Sequence, residues 1–226
     1  MKLKSGDRVV DLGCGQGVLG RQMSLGVEYV GIDIAGNLIQ EAKLLDKNPK
    51  HQYRVGDIIE KLEIKDKFDK AVMLLTLQNL KRPFKAVENA KNLLKESGKF
   101  FLVINHPCFR IPKNSDWGVD KMKNIQYRRV DRYMLPMEIP IEVSPFDKKT
   151  DEKTLSFHHP LSAWSEMLFD NGLMIEKIEE WVSDKKSTGS MAKIEDRARK
   201  EFPLFMAIVA CRRQDKTRKF PEEQNL

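Results

Sequence analysis

Val9-Val10-Asp11-Leu12-Gly13-Cys14-Gly15-Gln16-Gly17 joins a run of apolar residues to three glycines at alternate positions. A tight turn leaving a strand needs positive φ, and a ligand lying against backbone needs the absence of Cβ; glycine supplies both. A helix starting after such a turn offers free N–H groups and the positive end of its dipole. Several nucleotide-binding folds use glycine turns, so the acids around this one carry the discrimination. Asp33 lies twenty residues after Gly13, where a carboxylate ending the second strand can accept both hydroxyls of a ribose. Gly56-Asp57-Ile58 ends a third apolar segment, and an acid with an apolar neighbour can meet the edge and face of an adenine there. Asp11 stands at the tip of the first strand, near the place for an amino group. Nicotinamide turns usually read G-x-G-x-x-G; the spacing of Gly13, Gly15, Gly17 and Gly20 shifts the reading away from hydride chemistry.

Positioning these residues requires strands that alternate with helices. Arg8 to Leu12 predicts a first strand, Gly17 to Leu25 a helix closed by Gly26, Glu28 to Ile32 a second strand, and Gly36 to Asp46 a second helix stopped by Asn48-Pro49. Tyr53 to Val55 and Phe68 to Leu75 predict strands three and four, the latter apolar almost throughout, as a strand buried on both faces should be. Pro83 opens a helix reaching about Lys95, and Ser97-Gly98 turns the chain into a fifth strand, Lys99 to Ile104. Residues 106–159 break this pattern with five prolines, and aromatics such as Trp117, Tyr127, Tyr133, Phe146 and Phe157 are spread among them. They predict an inserted lid of loops and short strands, with Arg129 to Leu135, Ile139 to Val143 and Thr154 to His158 as candidates. Pro160 to Asp170 then predicts a helix, Met174 to Val182 a strand, Ser183 to Glu201 a polar, partly helical stretch, and Leu204 to Cys211 a last strand. The expected architecture is α/β: one doubly wound domain over 1–212, with a mostly parallel seven-stranded sheet and the insert after strand 5. The charged segment 213–226 is expected to fray.

The 226 residues carry 40 Lys and Arg against 33 Asp and Glu, a net charge of +7 with pI near 9.2. The basic clusters are short and interrupted by acids, so a nucleic-acid partner is possible but not favoured. No apolar run approaches the roughly 20 residues that span a bilayer, and the N-terminus has no secretory apolar region. Three widely spaced cysteines suggest reduced thiols in a cytoplasmic protein. The His158-His159 pair has no partners at metal-ligand spacing, so no metal is expected. Oligomeric state is not legible.

The run Val9 to Gly17 resembles the first motif of the class I S-adenosylmethionine-dependent methyltransferases, an acid followed by G-x-G-x-G. Asp33 matches the family's ribose-binding acid, and Asp57-Ile58 its adenine-binding pair. Phe68 to Leu75 resembles the fourth motif, whose end faces the methyl donor. The resemblance covers Gly6 to Ile104 and, more loosely, Pro160 to Arg212. It is nearest to the branch related to ubiquinone and menaquinone biosynthesis, where a stretch like Phe157-His158-His159-Pro160-Leu161-Ser162 leads into a late helix. It implies the Rossmann-like fold, S-adenosylmethionine as cofactor with S-adenosylhomocysteine as product, and a cofactor site of Asp11, Gly13, Gly15, Gly17, Asp33, Ile34, Asp57, Ile58 and Leu74. Such enzymes usually carry one or two helices before the first strand; Met1 stands only a few residues from that strand, which predicts either a shortened form or a more open site.

Methyl transfer from a sulfonium is an in-line displacement that needs positioning and water exclusion, with a base only when the acceptor must lose a proton. Thr76, Gln78 and Asn79 after the fourth strand, and Asn105-His106 after the fifth, face the expected acceptor side. His106 is the candidate base by location and ordinary pKa range. Gln78, Tyr127, Tyr133 and His158 are candidate acceptor contacts, with His159 beside them. Asn105-His106-Pro107-Cys108-Phe109 resembles the N-P-P-[YF] motif that binds a flipped adenine, but it follows the wrong strand. Pro107-Cys108 resembles the nucleophile of cytosine-C5 enzymes, without the second cysteine. The expected function is methylation of a small-molecule O, N or C acceptor. The alternatives are an RNA-modifying methyltransferase and a non-catalytic cofactor-binding module.

Overall fold

Residues 1–142 and 153–213 are described by the computed structural model. A seven-stranded sheet runs in the order β10-β11-β5-β4-β1-β2-β3. Its strands are β1 (Arg8–Leu12), β2 (Glu28–Asp33), β3 (His51–Val55), β4 (Phe68–Leu74), β5 (Leu94–Asn105), β10 (Leu173–Trp181) and β11 (Phe205–Arg212). β1 to β5 pair in parallel, while β11 runs antiparallel to β5 and β10. The order reverses between β1 and β4, and a doubly wound sheet opens a crevice at the carboxyl ends of its strands at that switch point. The glycine turn therefore lies at the binding crevice by topology alone.

Side-chain alternation divides the interior. Val10, Leu12, Met73, Phe100, Leu102 and Ile208 face one side and pack with α3 (Pro83–Leu93) and α4 (Leu161–Asp170). Val9, Val72 and Tyr29 face the other, under α1 (Val18–Arg21) and α2 (Gly36–Leu45). Over β4, β5 and β11 this second face forms a partly open apolar trough of about 260 Å³, lined by Leu19, Leu74, Phe101, Val103, Ala207 and Trp181 among others.

Three expectations are corrected. The first helix is a single turn, Val18–Arg21, because Gly20 lies inside it and Ser24 already closes a turn onto Val27. β5 begins at Leu94 instead of Lys99: Ser97-Gly98 forms an irregularity within the strand, where pairing slips from Phe68↔Leu94 to Lys70↔Lys99. Within the insert, strand β7 covers Ile125–Val130 and ends where Arg129 to Leu135 was expected; Arg132, at φ 56°, turns the chain there. β7 pairs with β6 (Ser115–Asp120), and β8 (Met137–Glu142) pairs with β9 (Lys153–His158), so the described part of the insert holds two antiparallel strand pairs. The expected roles of Val143, Pro145, Phe146 and the tail from 214 lie outside the described residues. The polar stretch before β11 contains α5 (Ala192–Glu201), which packs against β7.

One ion pair fastens β4 to the start of β5. Asp69 accepts two contacts from Lys95 Nζ, at 2.8 and 2.9 Å, and the Arg8 amide at 2.9 Å. Burial pushes the Asp69 pKa up, but the hydrogen bonds from Lys95 and Arg8 and the Lys95 charge outweigh it and hold the carboxyl below its ordinary value. Such a group stabilises the fold above its unfolded pKa and loses that contribution as pH falls through its folded pKa. Lys95→Met is thus expected to cost about 1 kcal/mol at pH 7, screened by the exposure of the lysine, and less at pH 3. Urea denaturation at both values checks this; equal losses would contradict it.

Candidate active site

The glycine turn is fastened at both ends. The Gly13 and Cys14 amides donate to Ile32 O at 2.8 and 3.1 Å, and the Gly17 amide donates to Cys14 O at 3.0 Å. Gly13 has φ 83°, and a Cβ there would collide with the Thr76 side chain, whose hydroxyl donates to Gly13 O at 3.2 Å. Gly15 has φ 53°, but a Cβ there would meet nothing within 4 Å. Gly13 is required by the protein's own packing, and Gly15 by conformation at a point where the backbone faces open space. Open space over an exposed turn suits a ligand that lies on the backbone.

Asp33 connects this turn to β2. Its Oδ2 accepts the Gly15 amide at 2.8 Å and its Oδ1 the Ala35 amide at 2.9 Å. Each carboxylate oxygen keeps a further lone pair, so both remain available to ligand hydroxyls. Gly56 donates its amide to Asp33 O at 3.0 Å, bringing the end of β3 beside it. Asp57 caps its own turn by accepting the Ile59 amide at 3.0 Å on Oδ1. The apolar partner is a surprise. Ile58 is only 5% exposed and packs in the main core, whereas Ile34 is 68% exposed beside Asp33. An adenine face would find Ile34, and the exposed Val55 on β3, before it found Ile58.

Asp11 is 2% exposed and lies beneath the turn. Its Oδ2 accepts the Tyr29 hydroxyl at 2.6 Å, and its Oδ1 has no hydrogen-bond partner among the described residues. Burial pushes its pKa up to about 7; the Tyr29 hydrogen bond opposes the rise and the Asp33 charge adds to it. A buried carboxylate oxygen without a donor is rare in native structures and marks a functional or solvated position. Tyr29 escaped sequence reasoning because only the register of β1 against β2 brings it to Asp11.

On the acceptor side the structure separates the candidates. His106 is 2% exposed; its Nδ1 accepts the Cys108 amide at 3.2 Å, its Nε2 meets Glu180 Oε1 at 2.8 Å, and Phe109 stacks on it. Both nitrogens are engaged, so the expected base has none left for an acceptor proton. His158 is buried, donates from Nε2 to Tyr133 O at 2.7 Å, and has its pKa lowered by burial. The Tyr133 hydroxyl accepts the Leu161 amide at 3.0 Å. His158 thus braces the insert internally and Tyr133 ties it to the start of α4, so both side chains already have partners within the protein. The His159 ring packs on Trp164. Tyr127 lies on β7 over Gly118, within the outer hairpin. Gln78, in contrast, is buried after β4 with Oε1 lacking a partner among the described residues, and Leu74 is 39% exposed at the trough.

A family model described as a methyltransferase domain matches residues 3–131. The chain belongs to this family. The curated relatives of the methyltransferase include ubiquinone biosynthesis O-methyltransferases. That of Xanthomonas oryzae pv. oryzae (strain PXO99A) is 33% identical over 102 residues, covering 43% of this chain and 43% of the relative. That of Glaesserella parasuis serovar 5 is 32% identical over 105 residues, covering 43% and 44%. The match thus spans less than half the length of these relatives. Among solved structures, an S-adenosylmethionine-dependent methyltransferase from Mesorhizobium loti superposes with TM-score 0.72 at 23% identity, over 93% of this chain and 94% of that one. One from Clostridium acetobutylicum ATCC 824 gives 0.63 at 20%, over 92% and 85%. These likenesses establish the fold, the Rossmann-like sheet of class I methyltransferases. Among the described residues no helix is long and apolar enough to cross a membrane.

Proposed function

We propose that this methyltransferase transfers a methyl group from S-adenosylmethionine to a small-molecule acceptor by in-line displacement. The observation that carries the reading is the Asp33 carboxylate, already bonded to the Gly15 amide at the open glycine turn. In this reading Asp33 takes the ribose hydroxyls, Ile34 and Asp57 meet the adenine, and Asp11 lies under the amino-acid end. S-adenosylmethionine supplies an activated sulfonium methyl when bound. The chain's own residues then hold the acceptor in near-attack geometry and keep water away. The trough beside Leu74 provides the apolar walls, and Gln78 Oε1 offers an acceptor for a ligand N–H or O–H. With both nitrogens of His106 engaged, an acceptor hydroxyl deprotonates through solvent or through its own low pKa.

Two observations support a small acceptor. The trough of about 260 Å³ suits a single ring, and the matched relatives are named as O-methyltransferases of ubiquinone biosynthesis. A cytoplasmic location fits the three free thiols Cys14, Cys108 and Cys211. Calorimetric titration with S-adenosylhomocysteine, followed by a melting curve, tests the cofactor assignment. Ligand at one hundred times its dissociation constant is expected to add about 2.7 kcal/mol, roughly 5–10 °C for a chain of this size. No heat of binding and no shift would remove the assignment.

A further inference from the structure

Arg110 follows β5 in the loop that His106 closes, its amide donating to His106 O at 2.8 Å. Its guanidinium lies over the Phe205 ring, 4.5 Å from the centroid. Among the described residues it has no carboxylate partner and no side-chain hydrogen bond, although it is half-buried. Arg128 on β7 lies over Trp117 at 4.9 Å and donates to Phe109 O at 2.7 Å and Ser115 Oγ at 2.8 Å. It too has no ion pair among the described residues. Burial lowers the pKa of both guanidinium groups; at Arg128 Asp116 offsets this and the charge of Arg110 adds to it, while no acid offsets it at Arg110. Two neighbouring, partly desolvated cations with so little counter-charge are costly to hold together, and a bound anion removes that cost.

The pair sits beside the trough. Phe205 is opposite Asn105 on β5 and Trp181 on β10, while Leu74 is opposite Val103, itself opposite Ala207. Paired residues share a face, and Val103 and Asn105 share one by alternation. Phe205, Asn105, Val103 and Leu74 therefore line the same side, with Phe205 two strand spacings, roughly 10 Å, from the β4 end. A ring lying beside Leu74 would extend its far substituent toward Arg110.

We infer that Arg110, with Arg128 behind it, is the subsite for an anionic group of the methyl acceptor, which is a cyclic carboxylic acid with its ring in the trough. This rests on the trough being the acceptor site. A carboxylate suits the position because the guanidinium presents a planar fork while its face is held against Phe205. A nucleic-acid phosphate would offer the same charge, and the two sources separate experimentally.

Benzoate and its neutral isostere benzamide serve as probes, titrated into the whole chain with and without saturating S-adenosylhomocysteine. Benzoate is expected to bind about tenfold more tightly than benzamide, and Arg110→Gln to erase that advantage while leaving benzamide unchanged. Arg110→Lys, which keeps the charge and loses the fork, is expected to fall between them, and it carries the test if the glutamine variant does not fold. Equal affinities for the two probes, or an unchanged benzoate affinity in Arg110→Gln, would overturn the subsite. So would Arg110-dependent, salt-sensitive binding of a single-stranded oligouridylate by a protein that ignores benzoate, because the anion would then be a nucleic-acid phosphate. Failure of S-adenosylhomocysteine to bind, with the benzoate results intact, strikes the cofactor reading and leaves the anion subsite standing.

Discussion

Asp33→Ala is expected to abolish most of the rise in melting temperature that S-adenosylhomocysteine gives the intact protein. The carboxylate does two things at once: it accepts the Gly15 amide at 2.8 Å and the Ala35 amide at 2.9 Å, and in the proposed complex it also accepts the ribose hydroxyls. A hydrogen bond to a charged group contributes about 1.5–3 kcal/mol, so losing two to the ligand weakens binding by roughly a hundredfold or more. The slackened turn adds to the loss. Asp33→Asn separates the contributions, because an amide oxygen still accepts one backbone donor. It should keep the apo melting temperature near that of the intact protein while losing much of the ligand response. A full response in Asp33→Ala would remove Asp33 from the cofactor site.

Asp11→Asn is expected to change the pH dependence of folding more than any other single substitution in the site. The ordinary carboxyl value is 3.8 and the folded one about 7. Between these values the folded state holds a proton that the unfolded state has released, so stability falls as pH rises through that window. Three pK units correspond to about 4 kcal/mol, a cost absent near pH 4 and complete above pH 7. Asparagine carries no such charge and keeps an oxygen for the Tyr29 hydroxyl, although its buried N–H groups add a constant penalty. The stability difference between variant and parent should therefore move by about 4 kcal/mol in favour of the variant from pH 4 to pH 8, whatever that constant is. Denaturant unfolding across this range reads it directly, and parallel curves would refute the ionisation. That the fold tolerates this charge beneath the turn fits a role toward a cationic amino group.

The features legible in the sequence are those set by near neighbours. Gly13 and Gly15 announce a turn by their own backbone needs, and Asp33 and Asp57 end short apolar runs that can only be strand tips. The parallel core followed directly, because β1 and β4 are apolar on both faces. What depends on distant partners was not legible. His106 looked like a free imidazole, but Glu180, seventy-four residues on, and the Cys108 amide engage both its nitrogens. Ile58 looked like a ligand contact, yet beyond the strand end period-2 alternation no longer dictates direction, and the side chain turned into the core. Arg110 drew no notice in a sequence with 40 basic residues; only its place over Phe205, with no carboxylate partner among the described residues, sets it apart.

The fastening of the glycine turn before any ligand arrives has a kinetic consequence. With Asp33, Ile32 and Thr76 already holding its amides and carbonyls, no segment of the turn has to be ordered during the encounter. In the proposed complex, association is expected to proceed at the speed of an ordinary docking event, about 10⁵–10⁷ M⁻¹s⁻¹, for substrate and product forms of the cofactor alike. Discrimination between the two is then expected to fall on residence time, on how weakly the pocket holds a neutral sulfur, more than on arrival.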